Sequence, residues 1–380
     1  MMRGHVLGLD LVRALAVLMV LITHASFLFV PVVADLSTFE PWLLPGQLGV
    51  ELFFVLSGFL IGDMLISEAQ AGRLDLRRFW LRRWLRTLPN YYLFLILNLL
   101  LVRWLEGAWP GVWDYAVFAQ NLAWPTQAFY QESWSLAVEE IFYLAAPLLI
   151  VIGQGRIGRA LRNAGCSPTG LIILAIAVFT LVRLLYVLQV GPSWDEGVRK
   201  VVVARLDAIA YGVVAILMVR RFKPGSRAVV AVAAGGVAGL MICAWMYLNL
   251  PRDSSLMART LLFNLMPASF AAMLPMAARW QGHRLPSGIR TTITRLALWS
   301  YALYVSHALL LRILVGALGW HGRSTAECLL QAVLFCALAI LLCAAVYQCF
   351  ERPWLALRDR IAPRIRPGNQ ASSAVQSMTP

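Results

Sequence analysis

The chain has 380 residues, of which 60% are hydrophobic and 14% charged, and it carries a formal net charge of +14. Soluble domains carry roughly 25% charged residues, so this composition excludes an ordinary soluble enzyme and points to an all-α integral membrane protein. In a soluble chain such positive charge would suggest nucleic acid. Here the basic residues fall between apolar stretches, where membrane topology accounts for them, and no nucleic-acid partner is expected.

About ten apolar stretches approach the roughly 20 residues that cross a hydrocarbon core. They run over 7–30, 48–66, 88–105, 134–153, 169–189, 201–219, 228–250, 258–278, 296–318 and 326–349. Residues 1–362 form one transmembrane domain, and the Pro-, Ser- and Gln-rich remainder, 363–380, reads as a disordered cytoplasmic tail. The first stretch is too long for a signal-peptide core and carries internal charges, so it is expected to be retained. Its Arg13 and His24 are 11 positions apart, three helical turns plus about 20°, which puts them on one face about 16 Å apart. An ionisable group in hydrocarbon costs about 2.5–3.5 kcal/mol, so this stripe should face protein or a hydrated cavity.

Lys and Arg crowd onto alternate connections, 23 on one set against four (Arg199, Lys200, Arg252 and Arg323) on the other. The positive-inside rule then places both termini in the cytoplasm. The outer connection 106–133, with Trp109, Trp113, Tyr115, Trp124 and Tyr130, reads as interfacial or partly re-entrant. Small-residue spacing at Gly235, Gly236 and Gly239 indicates close helix packing. Cys166, Cys243, Cys328, Cys336, Cys343 and Cys349 contain no CxxC pair, so neither a disulfide framework nor a metal site is expected.

The remaining intramembrane charges sort by depth. His24, Glu51, Glu139, Glu140, Arg205 and Asp207 are expected to converge in the outer half of the membrane, with Ser135 one turn before Glu139. His307 lies mid-span, where Tyr304 and Ser300 could satisfy it, while Arg183, Arg259 and Arg312 read as structural or snorkelling. On the inner side, Asp10 and Arg13 approach the run LDLRRFWLRRWLRTLP, expected to be a cytoplasmic connection, in which Arg82, Arg83 and Arg86 accompany Trp84. Guanidinium forks bind phosphate oxygens and indole rings stack on bases, although a positive-inside loop with snorkelling side chains would look the same.

These residues carry a family resemblance over nearly the whole membrane region. Arg13 and His24 match the Arg-x10-His pattern of the acyltransferase-3 family of integral-membrane acyltransferases, and Gly49-Val50-Glu51-Leu52-Phe53-Phe54-Val55-Leu56-Ser57-Gly58-Phe59 is similar to its second block. Arg83-Trp84-Leu85-Arg86 with Pro89 resembles its Arg-x-x-Arg-x-x-Pro element. Trp134-Ser135-Leu136-Ala137-Val138-Glu139-Glu140-Ile141-Phe142-Tyr143 matches best, with Ile141 where Gln is more usual. Arg205-Leu206-Asp207-Ala208, Ser300-Tyr301-x-x-Tyr304-x-x-His307 and Phe350-Glu351-Arg352-Pro353 complete the set.

The resemblance implies a multi-pass protein of the bacterial cytoplasmic (inner) membrane that moves an acyl group, acetyl in first place, from cytoplasmic acyl-CoA to a hydroxyl of a lipid-linked or cell-surface sugar. No bound cofactor or metal is implied, since acyl-CoA is a co-substrate. Arg13, Arg82, Arg83, Arg86 and Trp84 would hold it. His24 would act as general base, with Glu139 orienting it, or would carry the acyl group itself. Glu51, Ser135, Glu140, Arg205, Asp207 and His307 would orient the acceptor or be structural. A macrolide-like acceptor is the second choice. A proton-coupled secondary transporter is the rival from another class, because a layer of His, Glu, Asp and Arg also suits a proton relay.

Overall fold

The computed structural model describes residues 6–125, 129–163, 165, 167–223 and 225–363, and among these there is no strand. The main helices are α1 (Leu7–Ser26), α2 (Leu44–Gln70), α3 (Leu76–Glu106), α4 (Ser133–Gln154), α5 (Pro168–Val190) and α6 (Leu206–Arg221). They continue with α7 (Arg227–Asn249), α8 (Leu262–Ala277), α9 (Ser287–Arg312), α10 (Thr325–Val346) and α11 (Arg352–Ile361). Each expected span falls on one of the first ten. Among the described residues eight helical segments are long and apolar enough to cross a membrane, whereas α6 and α8 have 16 residues each. Sixteen residues rise about 24 Å, short of a core of about 30 Å. The chain is an all-α integral membrane protein. From residue 364 on, the expected tail lies outside the described residues.

Local chemistry sets the helix ends. Asp75 accepts a hydrogen bond from the Arg78 backbone N–H and starts α3 at Leu76. The basic-aromatic run is therefore not a connection, as expected, but the first turns of a 31-residue helix. Ser167 caps α5 in the same way ahead of Pro168, and Gly191, at φ +62°, ends it. The sixth span begins later than expected, at Leu206, because the backbone N–H groups of Val202 and Val203 donate to the carbonyls of Asn121 and Leu122. That contact folds the connection before α4 into the protein, where Tyr115 and Tyr130 are buried while Trp109, Trp113 and Trp124 stay exposed.

Helix α2 runs through the middle of the bundle against α1 and α6. Its closest approach to α6 is made by two glycines. A Cβ on Gly58 would lie 1.8 Å from the Ile209 carbonyl oxygen, and one on Gly212 2.0 Å from that of Val55. Gly236 and Gly239 likewise admit Ser269 of α8, whereas Gly235 faces open space. Large apolar side chains on α5, α7 and α10, such as Leu181, Trp245 and Leu341, point outward as lipid contact requires.

Candidate active site

Two cavities open into the bundle. The first, of 490 Å³, lies among α1, α2, α3, α4 and α9 and is lined by Arg13, Arg83 and Arg86 together with Glu139, Tyr143 and Ser57. None of these three guanidiniums makes a hydrogen bond or ion pair with another described residue. Arg83 lies 5.1 Å above the Tyr143 ring. The Tyr143 hydroxyl donates to Glu139 Oε2 at 2.7 Å and is itself in hydrogen-bond contact with Ser57 Oγ.

The second cavity, of 750 Å³, holds His24 and His307. Their rings meet edge to face, with centroids 4.3 Å apart. His24 Nδ1 lies 2.9 Å from the Val20 carbonyl and His307 Nδ1 lies 3.1 Å from that of Leu303. A carbonyl only accepts, so each Nδ1 carries the proton and each neutral ring keeps its lone pair on Nε2. His307 Nε2 is buried without a partner among the described residues.

Four cations and four carboxylates line this second cavity: Arg199, Lys200, Arg252 and Arg312 with Glu132, Asp195, Glu196 and Asp253. Unlike the guanidiniums of the first cavity, these cations are engaged. Asp195 pairs with Arg199 and, at 3.0 Å, with Lys200, which also pairs with Glu196. Arg252 reaches Glu40 at 2.8 Å, and Arg312 donates to the Phe129 carbonyl at 2.5 Å. Burial alone would raise the Asp195 carboxyl, but the Arg199 and Lys200 charges overcome it and hold Asp195 well below the usual carboxylate range. Burial pushes Glu132 up to about 7 against the weaker pulls of its own backbone N–H and of Arg312.

Among the described residues, Val50 and Tyr304 alone appear in the walls of both cavities. The Tyr304 hydroxyl donates to the Glu132 carbonyl at 3.1 Å and touches Ser135 Oγ at 2.5 Å.

The expected charged layer divides. Glu139 does not share a cavity with His24; it belongs with the arginines. Helix α4 crosses the boundary, and Glu139 is about 10 Å further along it than Glu132, which does face the histidines. Ser135 follows Glu139 into the arginine cavity. Glu51 and Arg205 form a buried ion pair, and Asp207 pairs with Arg183 at 2.8 Å, with none of the four in either cavity wall. Glu140 accepts from the Thr87 hydroxyl at 2.8 Å.

Of the donor set, Arg13, Arg83 and Arg86 come together. Arg82 is drawn away to Asp359 at 3.0 Å and to the Ala362 carbonyl, and Trp84 is half exposed and stacked on Trp80. Sequence reasoning gave no role to Glu132, to Tyr143 or to Tyr304 at the junction, and it read Arg312 as structural or snorkelling; Arg312 lines the histidine cavity and donates to the Phe129 carbonyl. Tyr143 closes the best-matched block and Glu132 stands two positions before it, which was the available signal. Among the described residues no group of three or more His, Cys, Asp or Glu could hold a metal ion.

The chain is 28% identical over 169 residues to the peptidoglycan O-acetyltransferase OatA of Listeria monocytogenes, covering 40% of this chain and 25% of that protein. It is 34% identical over 160 residues to the O-acetyltransferase OatA of Staphylococcus aureus, covering 38% and 24%. The matches thus span about a quarter of the length of these curated relatives. No solved structure matches. The profile of the acyltransferase domain family matches residues 6–348, nearly the whole helical bundle, and the chain therefore belongs to the acyltransferase-3 family.

Proposed function

We propose that this protein is a membrane O-acetyltransferase that takes acetyl from acetyl-CoA held in the arginine cavity and passes it to a sugar hydroxyl in the histidine cavity. One observation carries the reading: three unpaired guanidiniums surround a single cavity, while the cations of its neighbour are engaged. Unpaired guanidiniums favour a phosphate-rich ligand, and CoA is one whose thioester is an acyl donor. The positive-inside rule supports a cytoplasmic opening for this cavity, where acyl-CoA is made.

Along α1, Arg13 stands in the wall of the first cavity and His24 in that of the second. His24 Nε2 takes the acceptor proton as the hydroxyl oxygen attacks the thioester carbonyl, a step to which general-base catalysis contributes about 10²- to 10⁴-fold. The acyl ester forms and CoA leaves as the thiol. The cations of the second cavity are already engaged by carboxylates or, for Arg312, by a carbonyl, which suits an uncharged, hydroxyl-bearing acceptor. The names of the relatives support acetyl as the group, the peptidoglycan named for the Listeria protein supports a cell-surface glycan as the acceptor, and the organisms support a bacterial source.

The test is purified protein with radiolabelled acetyl-CoA, using membranes of the expressing cells as acceptor source. Thiol release with alkali-labile label on glycan is expected. His24→Ala should lower transfer at least about 100-fold while CoA binding persists. Unchanged turnover in that variant removes the base, and a parent protein that does not bind CoA removes the donor site.

A further inference from the structure

We propose that Tyr304 is a catalytic residue of this site, donating its hydroxyl proton as a hydrogen bond to the thioester carbonyl oxygen when that oxygen becomes an anion. The proposal rests on the acyl-transfer reading above and assigns a group to the half of the chemistry that His24 does not serve.

Position comes first. Donor and acceptor lie in different cavities, so the carbon that changes hands must pass where the two walls meet. Among the described residues only Val50 and Tyr304 belong to both walls, and the Val50 side chain offers no polar atom. Tyr304 is thus the polar side chain that, among the described residues, the two walls share.

Hydrogen bonding comes second. The Tyr304 hydroxyl now rests on the Glu132 carbonyl at 3.1 Å, with Ser135 Oγ at 2.5 Å. Apart from Tyr304, Ser135 has only the more distant Glu132 carbonyl, at 3.4 Å, to bond. Ser135 can therefore donate to the Tyr304 oxygen while the Tyr304 proton turns to an arriving oxyanion. Exchanging a neutral carbonyl for an anion strengthens that bond roughly twofold. The ring is held by Phe53 at 6.1 Å and by His307 at 5.8 Å, centroid to centroid, so the donor is in place before the reaction begins.

The step balances. The acceptor oxygen bonds to the carbonyl carbon and gives its proton to His24 Nε2, and the carbonyl π pair moves to oxygen, where Tyr304 O–H meets it. As the pair returns, the carbon–sulfur bond breaks. The CoA thiolate leaves and takes the proton from His24, giving ester and free thiol. Ser135 acts through Tyr304 and is a positioning residue.

Tyr304→Phe keeps the ring that divides the cavities and deletes only the hydroxyl. With radiolabelled acetyl-CoA and cell membranes as acceptor source, kcat should fall about 100-fold. CoA affinity, read by thermal shift, should stay within about twofold. Ser135→Ala should lower kcat about tenfold with the same affinity, the loss of one supporting hydrogen bond. A Tyr304→Phe kcat within about threefold of the parent would make the ring a mere partition and overturn the proposal. Loss of CoA affinity together with turnover would make the hydroxyl a structural latch and overturn it equally. A parent protein without CoA binding or thiol release would strike the acyl-transfer reading instead.

Discussion

Glu132 shows how burial without a partner tunes one residue. Its Oε1 is buried with no hydrogen-bond partner among the described residues, and the desolvation raises the group from an ordinary 4.5 to about 7. The folded protein then keeps a proton that the unfolded chain has already released, so the native state binds more protons across that window and stability falls as pH rises through it. Glu132→Gln is neutral throughout. Its thermal midpoint in detergent should change less between about pH 5 and about pH 8 than the parent's, and a parallel pair of curves would show Glu132 to be solvated. The buried pairs Glu51–Arg205 and Arg183–Asp207 do the opposite work. They match charge with charge where no water is available, so each holds helices together without exposing reactive groups.

At the scale of elements, α2 and α6 approach as closely as backbone permits, because glycine stands on both sides of the crossing. That contact sets the position of α2, whose Val50, Phe53 and Ser57 wall the cavities. Gly58→Val would drive a side chain into the Ile209 carbonyl, and overpacking typically costs about 1–3 kcal/mol. The variant should show a lower thermal midpoint and a broadened size-exclusion peak in detergent. Gly235→Ala, on an open face, should be neutral or slightly stabilising. Equal behaviour of the two variants would show that the crossing tolerates separation. Helix α4 acts as a rod through the boundary: Glu132 at its start faces the histidines, and Glu139 and Tyr143 face the arginines.

Across the whole molecule, the two cavities differ in how their charge is balanced. The arginine cavity keeps three unpaired cations, while those of the histidine cavity are engaged by carboxylates or, for Arg312, by the Phe129 carbonyl. Charge needed for a phosphate-bearing donor is thereby kept away from the site where an uncharged hydroxyl would bind. Arg83→Ala combined with Arg86→Ala should raise the KM for acetyl-CoA at least about tenfold, since charge-assisted bonds contribute about 1.5–3 kcal/mol each. The kcat at saturating donor should change far less. An unaltered KM would reduce these arginines to topological signals.

The amino-acid sequence by itself determined the class of protein, the ten helical stretches and the shared face of Arg13 and His24, because hydropathy and the helical period are local properties. It also located the arginines that gather at one cavity, since Arg83 and Arg86 lie three positions apart on one helix. Only the tertiary structure decided which charges meet. Depth along a helix does not fix its rotation or its neighbours, so Asp207 turned to Arg183, Arg205 to Glu51 and Arg82 to Asp359, and Glu139 settled on the arginine side of a boundary that no spacing reveals. The place of Tyr304 between the cavities was equally out of reach, for it depends on where five separate helices leave room.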